Sequence, residues 1–306
     1  MALLIDPIIV LGIGLIIIVK FSDIVVDNII KFSEFTGIST MVIGFILLAL
    51  GTSLPELAVV ITSSSTGQGI IGLSTLFGSN IADIVILGIV ALLIPFVIPK
   101  EDKKSMTQVV VITSAISILA LLIGSVGLIF GVFTIIIFYL ISKPIIKDGT
   151  KKYSKIKDIK IIKFVLIIFG GLAVVLLSSI FVSEAVVDLS RSLNINESFF
   201  GASLIAFSTS LPELTVSLSA IRKKNVSLAV GNIIGSLMLN LTLILGIGAV
   251  ISTIVLDIPT TITIYALLLL NAFVITMINN KFSRIHGLSI IAFYSVFLFI
   301  LYGVSS

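Results

Sequence analysis

The sequence predicts an all-α polytopic membrane protein of ten transmembrane helices, built as two inverted five-helix repeats. Three observations carry that expectation. Of 306 residues, 58% are hydrophobic and 11% charged, with a mean hydropathy of +1.31; a soluble domain holds about 25% charged residues. Apolar runs of roughly 20 residues, the length that crosses a bilayer core about 30 Å thick, recur from end to end. The two halves of the chain also share a long motif at a fixed offset. With no cysteine in the sequence, disulfide, thiolate-nucleophile and Cys-ligated metal chemistry are excluded.

Charged or Gly/Pro/Asn-rich breaks separate the spans. A first repeat, 1–142, holds spans near 7–31, 39–64, 70–94, 106–123 and 128–142. A Lys-rich connection follows at 143–160. A second repeat, 161–306, holds spans near 161–190, 198–221, 227–251, 260–278 and 286–303. The first apolar run carries Asp6, no basic stretch ahead of it and no small-residue cleavage site, so it reads as a span and not as a signal peptide. Lys31, then Lys100, Lys103 and Lys104, the lysines of 143–163, the trio Arg222, Lys223 and Lys224, and the pair Lys281 and Arg284 flank alternate connections; Lys20 and Arg191 fall elsewhere. Lys and Arg stay on the cytoplasmic side during insertion. The expected placement is therefore multi-pass in the cell membrane, both termini outside and 143–160 in the cytoplasm. Positive charge of this origin calls for no nucleic acid. The lipid bilayer is the expected partner, and a monomer the expected working unit.

Self-similarity at an offset of 157 residues is the most informative feature. Residues 44–63, GFILLALGTSLPELAVVITS, match 201–220, GASLIAFSTSLPELTVSLSA, with TSLPEL identical at 52–57 and 209–214. The register survives an unrelated loop: Gly78-Ser79 falls on Gly235-Ser236, and Asp83 on Asn240. Five spans per half is an odd number, so the second half enters the membrane in the opposite sense. Inverted repeats of this kind build secondary transporters, whose substrate site lies near the midplane between the halves.

An Asp at the centre of a membrane helix costs about 2.5–3.5 kcal/mol on insertion scales, so buried acids need a reason. Glu56, Glu213 and Asp83 lie inside apolar spans. Three acids in one membrane core call for a cation, and oxygen donors suit hard ions such as Ca²⁺ and Na⁺. The single histidine, His286, sits at a cytoplasmic helix start and reads as interfacial. Helical spacing puts Thr52 and Ser53 on the face of Glu56, and Ser79 on that of Asp83; Thr209, Ser210, Glu213, Ser236 and Asn240 repeat the pattern. A proline inside a helix frees the carbonyl four residues earlier, so Pro55 and Pro212 are expected to release carbonyls near 49–51 and 206–208. A second tier of acids, Asp23 and Asp27 with Glu184 and Asp188, repeats at an offset of 161 and is expected to line an access path or hold helices together.

At these residues the chain resembles the sodium/calcium exchanger family of the calcium/cation antiporter superfamily, and its compact prokaryotic members most. The carriers are Gly51-Thr52-Ser53-Leu54-Pro55-Glu56-Leu57 with Gly78-Ser79-Asn80-Ile81-Ala82-Asp83, and Ser208-Thr209-Ser210-Leu211-Pro212-Glu213-Leu214 with Gly231-Asn232-Ile233-Ile234-Gly235-Ser236. They correspond to the two alpha repeats, here 44–88 and 201–246. The resemblance implies exchange of about three Na⁺ for one Ca²⁺, with the first and sixth helices sliding on a fixed core. It implies an ion shell of Glu56, Glu213, Asp83, Asn240, Thr52, Ser53, Thr209, Ser210, Ser79 and Ser236, with the carbonyls of Ala49 and Ala206. The Gly-Asn pair Gly231-Asn232 reads Ser74-Thr75 in the first half, and Asp83 and Asn240 are exchanged relative to some archaeal members.

Within the same fold the alternative is H⁺/Ca²⁺ exchange, against which the cage of hydroxyls argues. An intramembrane aspartyl protease would need a second aspartate to match Asp83, and the mirrored residue is Asn240. No catalytic residue and no resident cofactor are expected; Na⁺ and Ca²⁺ are cargo.

Overall fold

A lipid core offers no water to backbone N–H and C=O groups, which leaves the helix as the form open to these apolar runs. A computed structural model of the chain describes residues 2–149, 159–192 and 210–305, nearly all of them helical. In the first half α1 is Ala2–Thr36, α2 Thr40–Thr52 and α3 Leu54–Ser65, α4 Gly69–Leu93, α5 Lys100–Ile123 and α6 Leu128–Gly149. In the second, α7 is Ile159–Ser192, α8 Leu211–Arg222, α9 Val226–Ile251, α10 Ile258–Met277 and α11 Arg284–Ser305. Among the described residues eight helices are long and apolar enough to cross a membrane, and α2 with α3, bent by 47°, makes up to nine. Of the span expected at 198–221, the described part is α8.

Two helices, α5 and α6, run furthest past their expected limits. α5 starts at Lys100, not near 106, because Pro99 precedes it and Glu101 and Asp102 occupy its first turn, where the helix dipole favours acids. α6 runs on to Gly149, so part of the expected 143–160 connection is helical; Ile145 is buried, and the Lys143 ammonium lies 5.7 Å from the Tyr139 ring centroid.

α4 and α9 are the most enclosed spans, while α1 and α11 are the most exposed. Leu122, Ile129 and Phe299, on α5, α6 and α11, stand outward, as a lipid-facing surface requires. Four short strands tie the helix ends. β1 (Phe96–Val97) pairs antiparallel with β4 (Lys281–Phe282), with Phe96 and Phe282 stacked 5.0 Å apart, and β2 (Ser125–Val126) pairs with β3 (Ile254–Val255).

The contacts repeat between halves. Gly14 of α1 faces Val182 of α7, and Gly171 of α7 faces Val25 of α1, each so closely that a β-carbon on the glycine would overlap the valine methyl. Both partners shift by 157 residues. This fixes the α1/α7 register at 157, not 161: Asp27 corresponds to Glu184 and Lys31 to Asp188. The offset then changes by one. Gly88 lies against Gly287, and Gly246 against Gly131; Gly246 follows Gly88 by 158. The extra residue is taken up by a π-helical turn at Asn240–Ile244 in α9, where α4 stays α-helical, as a one-residue insertion in a helix requires.

The turns after α3 and α8 close alike: Gln68 N–H donates to Ser63 O at 2.8 Å, and Asn225 N–H to Ala220 O at 2.9 Å. Gly67 holds φ +77° in the first, whereas Lys224 holds φ 60° in the second. A side chain in left-handed backbone costs about 1–2 kcal/mol, partly offset by the looser unfolded chain of glycine. Lys224→Gly is expected to stabilise the protein by about 0.5–1 kcal/mol, a rise of about 1–3 °C in the thermal midpoint in detergent; an unchanged or lower midpoint would contradict this.

Candidate cation site

The doubled motif starts a helix alike in both halves. Ser53 (φ −87°, ψ 9°) ends α2 and opens α3, and Ser210 (φ −88°, ψ 6°) opens α8. Pro55 and Pro212 therefore sit in the first turn of a new helix, where a missing N–H leaves nothing unpaired. In the first half the helix is indeed broken, by 47°, with the break at Ser53, ahead of Pro55. The Ala49 carbonyl accepts the Ser53 N–H at 3.0 Å, with Thr52 Oγ1 at 3.5 Å, and Thr52 Oγ1 donates to Leu48 O at 3.0 Å. Glu56 and Glu213 lie in the first turns of α3 and α8, facing the end of the dipole that stabilises negative charge.

Glu56, Asp83 and Glu213 are each 1% exposed, and their charges act on one another: Glu56 on Asp83, and both on Glu213. Hydroxyls and amides stand among them. Ser79 Oγ donates to Glu56 Oε1 at 3.1 Å, Ser53 Oγ to Ser236 Oγ at 3.3 Å, and Asn240 Nδ2 to Ser236 Oγ at 3.4 Å. Ser236 also stands beside Asp83, and Thr52 beside Glu213. Both carboxylate oxygens of Asp83, Glu213 Oε2, Ser210 Oγ and Asn240 Oδ1 are buried with no hydrogen-bond partner among the described residues. Buried oxygens of this kind are normally paired, so the cluster has the donor set of a hard-cation site. Among the described residues no three His, Cys, Asp or Glu side chains close on a common point; an ion here would be shared between carboxylates and neutral oxygens.

Of the expected shell, Glu56, Asp83, Glu213, Asn240, Thr52, Ser53, Ser79, Ser210, Ser236 and Ala49 are buried. Thr209 and Ala206 lie outside the described residues, as does Ser208. The second tier is not part of the cluster. Lys223 Nζ lies 2.7 Å from Asp27 Oδ1 and 3.8 Å from Asp23 Oδ1, and donates to the Asp23 carbonyl at 2.7 Å. Ser219 Oγ donates to Asp23 Oδ1. These acids hold α1 to α8. Glu184 is exposed, and the Asp188 side chain lies outside the described ones. His286 accepts the Ser283 N–H at 3.2 Å at the start of α11. Two asparagines in the cluster carry no expected role: Asn80, bonded to Asn240 at 3.0 Å, and Asn232, whose Nδ2 donates to Ser217 Oγ at 3.1 Å. Their place inside the repeated glycine-serine stretches is the signal that could have found them.

The sequence profile described as sodium/calcium exchanger protein matches residues 7–142 and 162–303. The chain belongs to the sodium/calcium exchanger family. Among its relatives, membrane protein MJ0091 of Methanocaldococcus jannaschii is 30% identical, the match covering 77% of this chain and 79% of that one. The sodium/calcium exchanger MaX1 of Methanosarcina acetivorans is 27% identical, covering 96% and 98%. The fold is that of the sodium-calcium exchanger NCX_Mj in a structure soaked with Na⁺ and Sr²⁺, at a TM-score of 0.85 and 24% identity over 96% of this chain and 98% of that one. Family and fold are those of an ion exchanger, not of a catalyst, which leaves the protease reading without support.

The separation of the two acidic tiers is testable in the purified exchanger. Asp27→Asn is expected to lower stability by less than about 1 kcal/mol, as for a partly exposed ion pair, and to leave the rise in thermal midpoint on adding Ca²⁺ unchanged. Loss of that rise would make Asp27 part of the ion path.

Proposed function

We propose that this family member is a secondary antiporter that exchanges Na⁺ for Ca²⁺ at one site between two inverted repeats, by alternating access. The observation that carries the reading is the pair of helices opened by Ser53 and Ser210, each delivering a buried glutamate to the same charge cluster as Asp83. The proposed ligands are Glu56, Glu213, Asp83 and Asn240, the hydroxyls of Thr52, Ser53, Ser79, Thr209, Ser210 and Ser236, and the carbonyls of Ala49 and Ala206. The exchange of β1·β4 for β3·β2, and of Gly14·Val182 for Gly171·Val25, supports inverted repeats; the seventh of the ten proposed spans is 198–221, and the distribution of Lys and Arg supports both termini lying outside the cell membrane.

Electrostatics supplies the coupling. Three carboxylates are neutralised by three Na⁺, or by one Ca²⁺ with one charge left over, so the two loads exclude each other. Exchange follows if only loaded states cross. The close packing of α1 on α7, through two small glycine surfaces, supports their sliding as a pair on the enclosed α4 and α9. A three-for-one cycle moves one net charge, worth about 2.3 kcal/mol per 100 mV, so an imposed membrane potential biases it.

The test is Ca²⁺ uptake into proteoliposomes loaded with Na⁺. Uptake is expected to follow the outward Na⁺ gradient, and to fall to the protein-free level in Glu56→Gln and Glu213→Gln. Uptake driven equally by a pH gradient with no Na⁺ present would instead favour H⁺ coupling, and uptake indifferent to both gradients would overturn antiport.

A further inference from the structure

Among the buried groups that the proposed ion shell leaves out, Asn80 and its neighbours form a chain of fixed polarity. Asn80 Nδ2 donates to the Leu237 carbonyl at 3.2 Å, and Asn240 Nδ2 donates to Asn80 Oδ1 at 3.0 Å. Both side chains are fully buried. Nitrogen and oxygen of an amide differ little in shape, so their placement follows from the bonds they make. Here one end of the chain admits a single solution. The Leu237 carbonyl can only accept, so Asn80 must turn its nitrogen to it and its oxygen to Asn240. Asn240 must then turn its nitrogen to Asn80, which leaves Asn240 Oδ1, buried and without a hydrogen-bond partner among the described residues, to face elsewhere. Ser236 Oγ, 3.4 Å from the Asn240 nitrogen, can accept from it and so agrees with that orientation.

We propose that Asn80 is a positioning residue, which fixes the Asn240 amide with its oxygen toward the cation and its nitrogen away. This rests on Asn240 being a cation ligand. The symmetry of the molecule explains why one asparagine suffices. Asn80 falls on Leu237 at the offset of 157, so its bond joins it to its own counterpart, and the mirrored residue is apolar. The counterpart of Asn240 is Asp83, whose two oxygens are chemically alike when ionised. A carboxylate offers an oxygen whichever way it turns; an amide turned the wrong way offers two N–H groups to a cation and repels it.

The experiment measures Ca²⁺ affinity of the purified full chain in detergent without Na⁺, by binding of radiolabelled calcium, for wild type, Asn80→Ala, Asn240→Asp and the double variant. Asn80→Ala is expected to weaken Ca²⁺ binding by about tenfold, the lower range for outer-shell ligand support. In the Asn240→Asp background the same change is expected to cost less than about twofold, because the orientation it protects no longer matters. Asn80→Thr, closer in volume, replaces Asn80→Ala if the latter does not fold. Equal losses in both backgrounds would mark Asn80 as structural only, and no loss in the wild-type background would overturn the proposal directly. An Asn240→Asp protein that binds no calcium would count against it as well, since a carboxylate presents oxygen in either orientation. Failure of the function itself reads differently: wild type then binds no Ca²⁺, and both proposals fall together.

Discussion

The structure is organised around one electrostatic constraint: three carboxylates, on α3, α4 and α8, occupy the same enclosed region and repel one another there. Each costs about 2.5–3.5 kcal/mol to insert into a membrane, and mutual repulsion adds to that. The local backbone offsets part of the penalty for two of them. Helices opened by Ser53 and Ser210 make Glu56 and Glu213 first-turn residues, where unpaired N–H groups and the dipole favour the anion. Asp83 has no such help. It lies mid-helix in α4, with neither carboxylate oxygen hydrogen-bonded among the described residues, and a bound cation is the natural counterweight.

The repeated motif supplies the buried cluster with two matching glutamates, and the copies are not identical. The two halves differ at Asp83 and Asn240, at the π-turn that begins on Asn240, and at Lys223, which binds α1 to α8 where its counterpart is Thr66. The first two differences lie side by side on α9. An amide there lowers the charge of the cluster but introduces a donor that must be turned away. The inserted residue begins at that amide and moves the rest of α9 one position out of step with α4.

Much of this was legible in the sequence because membrane insertion enforces simple rules. The length of apolar runs marks the spans, and the repeated TSLPEL with Asp83 marks the acids that the structure buries together. What escaped was geometry set by contacts between distant residues. A proline in an apolar run marks a disturbed helix, and only the dihedral angles of Ser53 place the break ahead of Pro55. The charged stretch from Lys100 reads as a loop until its acids are seen occupying a helix start. Asp23, Asp27, Glu184 and Asp188 match by type at an offset of 161, yet the contacts of Gly14 and Gly171 set the helices at 157. The role of Asn80 depends on a bond to a backbone carbonyl 157 residues away, which no local pattern announces.

The central claim is that Na⁺ and Ca²⁺ occupy one carboxylate cage in turn, and equilibrium binding tests it without recourse to transport. Ca²⁺ affinity of the purified protein, titrated against Na⁺ at constant ionic strength, is predicted to fall more steeply than linearly with Na⁺, toward a limit of about the third power for three competing ions. A Ca²⁺ affinity that stays constant as Na⁺ is raised would contradict the account.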